Sequence, residues 1–268
     1  MARLAADPNR RVPPAVEFRN VTKRFEIGGS GQAHVAVDHL NLSIQPGEFV
    51  CVLGPSGHGK STMLNMLAGF TEPSEGYVLH EGNPVSGPGA ERGVVFQRDT
   101  VFPWKRVADN ITFGLKARGI RRTEREKVAA HYLKLIDLER FARAWPHQLS
   151  GGMRRRVAIA SVLANRPQVL LMDEPFTGLD YVRRDKLHRV LEQLWSEVGC
   201  TVFFITHDVD EALTLADRIV IVMHGKVTFE MRVPFERPRS TELIASKDAV
   251  DLRLTLLGHL SKALTEAS

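Results

Sequence analysis

Cysteine is scarce in this chain. Its two residues, Cys51 and Cys200, stand far apart, with no CxxC pair and no Cys/His cluster. That excludes a disulfide framework and a cysteine-based zinc site. Cys51 lies inside the apolar run Phe49–Leu53 and reads as a buried thiol acting as a small hydrophobe. Long hydrophobic runs are missing too. Stretches such as Ile219–Met223 fall far short of the roughly 18 residues that span a bilayer. The Arg-, Pro- and Ala-rich segment 1–14 reads as a flexible tail and lacks the apolar core of a secretory signal. The expectation is a cytoplasmic protein, with any membrane role supplied by a partner. Charge of one sign is not massed anywhere: 36 Lys+Arg and 31 Asp+Glu are mixed along the chain, for a net charge of +5. No basic stripe interleaved with aromatics is present, so no nucleic-acid partner is indicated. A phosphate-rich ligand or an acidic membrane surface fits this balance equally well.

What is present suits a globular fold, with 43% hydrophobic and 25% charged residues over 268 positions. Val16, Phe18 and Val21, then Leu40, Leu42 and Ile44, alternate as half-buried antiparallel strands do, with Gly28–Gly31 as a loop between them. Phe49–Leu53, Val169–Met172 and Val202–Ile205 have the length and branching of strands buried on both faces. Such strands belong to a mostly parallel sheet covered by helices. Between the first two lies a helical stretch, where Thr123 and Glu126 form a capping box and Val128, Tyr132 and Leu135 share a face. Pro146 and the Ser150-Gly151-Gly152 turn close that region. The fold class is α/β, with a helical insertion at about 100–160.

The strand Phe49–Leu53 runs into Gly54-Pro55-Ser56-Gly57-His58-Gly59-Lys60-Ser61-Thr62, the pattern GxxxxGK[ST], followed by the helical pattern Met63, Leu64, Met66, Leu67. Glycines let the backbone curl so that its N–H groups point at phosphate oxygens, and the helix adds its positive end. Lys60 reaches the β- and γ-phosphates, and the Ser61 hydroxyl ligates Mg²⁺. His58 occupies a variable position and is expected to face solvent. A second strand delivers Asp173 and Glu174 at its C-terminal end, where ligands of open parallel sheets bind. Asp173 holds Mg²⁺, and Glu174 polarises the water that attacks the γ-phosphate. His207 follows another buried strand at the same sheet edge and is read as a γ-phosphate contact.

Leu149-Ser150-Gly151-Gly152-Met153 narrows the field. Ser150 caps a helix with an inner stripe of Val157, Ser161 and Ala164, and the free N–H groups of that helix attract an anion. A second phosphate-binding device makes sense if it serves a nucleotide held by another copy. Over about residues 15–235 the sequence resembles the ATP-binding cassette (ABC) ATPases. The phosphate loop, Gln97 after strand Val94–Phe96, the Leu149–Met153 signature, Asp173-Glu174, Gly178-Leu179-Asp180 and His207 stand in family order. The resemblance implies a P-loop domain with a mostly parallel RecA-like core, an antiparallel N-terminal β subdomain and a helical subdomain. It implies an ATPase that takes ATP and Mg²⁺ and pairs head to tail with a second copy. Gln97 is then implied to touch Mg²⁺ and the attacking water and to sense the membrane subunit. Asp180 links the two sites, His207 holds the γ-phosphate, and Phe25 stacks on adenine.

The chain departs from the family at two points. Arg155 stands where Gln is usual and reads as a solvated or interface residue, and Thr177-Gly178 replaces Gly-Ala or Ser-Ala. Asp99 to Val107, with Phe102, Pro103 and Trp104, suits a groove for a partner helix. With Gly87–Gly93 it is similar to the importers for taurine, other alkyl sulfonates and nitrate. That likeness implies two integral-membrane permease subunits, an extracytoplasmic solute-binding protein and a place on the inner face of the cell membrane. Taurine or a related sulfonate is the expected solute, with nitrate the alternative. A soluble non-transport ABC ATPase is the competing reading; such proteins usually carry two cassettes or a long coiled coil, and this chain has neither. The cassette is expected to end near 235, leaving a tail at 236–268 with one short amphipathic helix around Leu252, Leu256 and Leu260.

Overall fold

A computed structural model describes residues 13–27, 32–97 and 100–265. Most of the expected tail at 1–14, the loop Gly28–Gly31 and Asp99 lie outside the described residues. Alternation sets the first layer. In β1 (Val16–Ile27) and β2 (Gln32–Ile44), Val16, Phe18, Val21, Leu40, Leu42 and Ile44 are buried, whereas Arg19 and Asn41 face solvent. The two strands pair antiparallel, Val16 opposite Ile44. The sequence reading assigns no strand at β4 (Glu75–His80), which pairs antiparallel with β1; the short β5 (Asn83–Pro84) completes the order β2-β1-β4-β5.

The second layer is a six-stranded sheet. It contains β3 (Phe49–Leu53), β6 (Arg92–Val95), β7 (Val169–Asp173), β8 (Thr201–Ile205), β9 (Arg218–Met223) and β10 (Lys226–Arg232), in the order β10-β9-β3-β8-β7-β6. Every neighbouring pair is parallel except the hairpin β9–β10. Both faces are covered. Phe49, Cys51 and Leu53 join one core with helix residues such as Val157 and Leu191. Val50 and Val52 join the other, with the four-stranded sheet and helix α1 (Lys60–Ala68). Burial on both sides is why these strands read as unbroken apolar runs rather than alternating ones. It also pushes both thiols up, Cys200 to about 11, so neither cysteine is a nucleophile at neutral pH.

The insertion contains α2 (Val107–Ile111), α3 (Phe113–Ala117), α4 (Arg122–Leu135) and α5 (Gly151–Leu163). The expected capping box is not formed. Helix α4 starts earlier, with Arg121 at the N-cap and Thr123 inside the first turn. Glu126 is instead taken by Arg122 at 2.8 Å, an exposed pair one turn apart. Tyr132 is buried as expected, with Val128 and Leu135 packed against the core. On α5 the inner face is wider than the expected stripe. Val157, Ala158, Ile159, Ala160, Leu163 and Ala164 are all buried, while Ser161 is half-buried and bonds Ala158 O at 2.8 Å. The helix is wedged between α2 and β6 on one side and α6 (Tyr181–Val198) on the other, so more of its circumference is enclosed.

After α7 (Val209–Leu215), β9 and β10, the chain adds α8 (Thr241–Ile244) and α9 (Lys247–Thr265). This segment is docked. Arg239 donates to the carbonyls of Leu213, Thr214 and Ala216 at the C-terminal end of α7, where a cation is favoured. Arg253 reaches Asp210 at 2.6 Å, and Leu256 is fully buried, whereas Leu254 is 61% exposed. Among the described residues no helix is long and apolar enough to cross a membrane. Leu256→Ala should cost about 2–5 kcal/mol in urea unfolding, and Leu254→Ala less than about 0.5 kcal/mol. Equal losses at the two positions would contradict this docking.

Candidate functional site

The site begins where β3 stops being apolar. Gly54 takes φ +153°, and a Cβ there would lie 2.2 Å from Val222 O; at Gly59, φ +93°, it would lie 2.2 Å from Ala36 O. Only glycine lets the loop thread between β9 and β2 at these two points. Gly59 then precedes α1 without any side-chain cap, so the first-turn N–H groups remain directed at the loop. The Lys60 ammonium is folded into the loop, donating to Gly54 O at 2.8 Å and Pro55 O at 2.7 Å. Burial lowers its pKa, opposed by the nearby charges of Glu174 and Asp173.

His58 departs from expectation. It is not turned to solvent: its Nδ1 accepts from the His224 N–H at 3.0 Å, and the two rings lie 4.6 Å apart. Gly225 N–H also reaches His58 O at 3.3 Å. The β9–β10 turn therefore clamps the loop from outside, a contact between residues far apart in the chain.

Across from the loop, β7 delivers its acids. Ser61 donates to Asp173 Oδ1 at 3.3 Å. Burial pushes the Asp173 carboxyl above its ordinary value, and the charge of Glu174 adds to this. Glu174 itself sits at φ +43°, a left-handed conformation that costs about 1–3 kcal/mol in a non-glycine residue. Its N–H is held by Ile205 O at 3.0 Å. Two groups meet its Oε2, the Thr177 hydroxyl at 3.1 Å and His207 Nδ1 at 3.2 Å. Phe25, His34, Ser56, Gly57, Gly59, Lys60, Ser61, Thr62, Gln97, Asp173 and Glu174 line a single cleft of about 380 Å³. Phe25 stands at its rim, 44% exposed, opposite His34 in the β1–β2 register.

Other expected residues lie elsewhere. His207 touches Glu174 but does not line the cleft, and neither do Gly54, Pro55 and His58. Asp180 caps α6 through Arg183 N–H at 3.0 Å. Ser150 caps α5, accepting from Met153 N–H at 3.3 Å, and Ser150 and Gly151 are exposed. No residue of 149–153 lines the cleft. The expected strand Val94–Phe96 is β6, which ends at Val95 because Phe96 turns out of the sheet. Arg155, expected to be a solvated or interface residue, is buried within the chain and donates to Phe96 O at 2.8 Å and to Gln97 O. A long side chain on the inner face of α5 reaches that backbone, which its charge alone does not reveal.

The comparisons with known proteins agree with this layout. Residues 37–177 match the ABC transporter family model. The nitrate import ATP-binding protein of Synechococcus elongatus is 45% identical over 216 residues, covering 79% of each chain. The taurine import ATP-binding protein of Chromobacterium violaceum is 46% identical over 216 residues, 80% of this chain and 83% of that one. The chain belongs to the ABC transporter family. A solved relative, a dimeric ATP-binding cassette in a post-hydrolysis state with ADP and Pi, is 36% identical over 82% of this chain and all of that one, with a TM-score of 0.71. The chain is thus an ATP-binding ABC ATPase with the cassette's α/β fold.

Three residues in this ABC site were not assigned a role from sequence. Thr177 bonds the acid, and Arg155 holds the Gln97 backbone. Arg184 joins Asp208, beside His207, to the loop at Leu179, whose carbonyl it meets at 3.3 Å. Only Thr177 carried a signal, being three residues beyond Glu174 in a turn. The half-buried Asp173 gives a test. A carboxyl whose folded pKa is raised stabilises the fold below its unfolded pKa, and that contribution is lost as pH rises through the folded value. Asp173→Asn should therefore raise the thermal midpoint of the nucleotide-free protein at pH 8, and this gain should shrink as pH falls toward the ordinary carboxyl value of 3.8. ATP hydrolysis should be lost in the same variant. A gain that grows on acidification would show that Asp173 is not held in the charged, desolvated state.

Proposed function

We propose that this chain is the ATP-hydrolysing subunit of an importer, acting as a head-to-tail pair of cassettes that drives a partner permease. The observation that carries this reading is the division of the site. The phosphate loop and acids share one cleft, while the Ser150 helix N-terminus faces outward and takes no part in it. An outward anion site on an ATPase is accounted for by the nucleotide of a second copy, and Asp180 at the neighbouring helix cap links the two sites.

In this reading Phe25 stacks on adenine, and Lys60, the loop N–H groups and the α1 N-terminus hold the phosphates. Ser61, Gln97 and Asp173 would hold Mg²⁺. The fit is chemical: a carboxylate penalised by burial stands beside a hydroxyl, both hard oxygen donors, and Mg²⁺ completes such sparse sites with water and phosphate oxygens. When bound, the ion neutralises charge on the phosphates. Glu174 accepts the proton of the attacking water. With Thr177 and His207 both on Oε2, Oε1 is left to meet that water, and His207 turns to the γ-phosphate as the nucleotide enters.

A second cleft of about 480 Å³ is lined by Trp104, Phe113, Trp145 and cations including Lys105, Arg106 and Arg125. Trp104 is 69% exposed, and its ring lies 5.6 Å from that of Phe102. It continues from the Gln97 segment and suits the permease helix, so cleft occupancy and membrane subunit meet through one stretch of chain. The cassette spans 15–235, and a C-terminal tail, 236–268, follows it. The chain sits in the cytoplasm on the inner face of the membrane, and an extracytoplasmic binding protein delivers the solute. Taurine or a related sulfonate is the favoured cargo and nitrate the alternative, each a small solute that is or carries an oxyanion group, in keeping with the names of the relatives.

Glu174→Gln should bind ATP, elute as a dimer with it, and turn over about 10²–10⁴-fold more slowly; normal hydrolysis removes Glu174 from the role of base. Lys60→Ala should weaken ATP binding, measured by titration calorimetry. With the permease in proteoliposomes, loaded binding protein should stimulate the ATPase with taurine more than with nitrate. Stimulation by a polynucleotide instead would overturn the transport reading.

A further inference from the structure

The backbone that carries Gln97 is gripped from behind. β6 ends at Val95, and the chain bends at Gln97. Along an extended strand successive carbonyls point to opposite sides. Here those of Phe96 and Gln97 converge on one guanidinium, Arg155 Nη1 donating to the first at 2.8 Å and Nη2 to the second. Arg155 is only 9% exposed and stands on the second turn of α5, five residues after Ser150. A planar fork with two separate donor nitrogens can hold two neighbouring carbonyls in fixed relation, which a flexible ammonium cannot do as well. Glutamine, usual at this position among the ABC ATPases, is shorter and offers one donor nitrogen.

We propose that Arg155 is a positioning residue for Gln97. It fixes the bend that presents the Gln97 side chain to the cleft, and it ties that bend to the helix whose N-terminus carries Ser150. The proposal rests on the assignment of Gln97 to the Mg²⁺ and water site made above. Lys60 and the phosphate loop hold the nucleotide independently, so loosening the bend affects turnover rather than ATP affinity. The same strut makes the signature helix and the Gln97 backbone of one chain move together. A change at either end is then felt in the other.

The test is a double-mutant cycle on the full-length chain, reading kcat, KM for ATP and the Mg²⁺ requirement for Arg155→Met, Gln97→Ala and the pair. Arg155→Met should lower kcat about tenfold and move KM less than about twofold, as a misplaced group does. The double variant should be no slower than Gln97→Ala alone. Arg155→Lys, which keeps a cation and one donor nitrogen, should recover part of the rate. Losses that multiply in the double variant would show that Arg155 acts elsewhere, overturning the proposal while Gln97 keeps its role. Full turnover by Gln97→Ala would remove both. Should Arg155→Met lose its fold, Arg155→Lys and Arg155→Gln carry the same cycle, judged by the same comparison.

Discussion

A strand buried on both faces has no place for a polar side chain until it ends. Five residues of β3, four of β7 and all of β8 are buried in this way, with a core on each side of the sheet. Parallel pairing then brings their ends to one edge, so the residues that follow the three strands meet there. Gly54 follows Leu53, Asp173 and Glu174 follow Met172, and His207 follows Ile205 and Thr206. The chemistry of the cleft is thus placed by an apolar constraint, and its residues are neighbours in space because their strands are neighbours in the sheet.

That constraint explains what could be read without coordinates. Strand length, branching and the polar residue at each end are local properties, so the buried strands, the phosphate loop and the acid pair were legible. Ser150 as a helix cap was legible for the same reason. Contacts across long separations were not. His58 and His224 are joined by packing of the β9–β10 turn on the loop, and nothing near either residue indicates the other. Arg155 was misplaced because three consecutive arginines look solvated, whereas the α5 face is wide enough to turn one of them inward. Thr123 was misplaced because α4 begins at Arg122, earlier than the capping pattern places it, so Thr123 lies within the first turn. The docked tail was underestimated, since its anchors Arg237, Arg239 and Arg253 act through carbonyls and acids that lie distant in sequence.

The cleft holds its groups in conditions that do not favour the protein by itself. Asp173 is desolvated beside Glu174, Lys60 is desolvated beside the loop, and Glu174 is strained at positive φ. Each is destabilising in isolation, and each concerns a group assigned here to phosphate, cation or water. Strain and desolvation of this kind persist only where the surroundings over-determine them. In this chain the surroundings are the strand ends and the clamp of His224 and Gly225, in the tight turn that joins β9 to β10.

That side contrasts with the other half of the proposed machine. The Ser150 helix belongs to the insertion and reaches the sheet at Arg155, which grips the backbone just beyond β6. In the proposed pair, a nucleotide in the cleft meets Gln97 of its own chain and Ser150 of the partner. On that proposal one short span and the helix tied to it carry three contacts: Gln97 to the cleft of its own chain, Trp104 a few residues on to the permease, and α5 to the partner's nucleotide. Any motion of the insertion relative to the sheet must strain or carry the Phe96–Gln97 bend. Turnover by a pair, rather than binding by one chain, is the step such an arrangement controls.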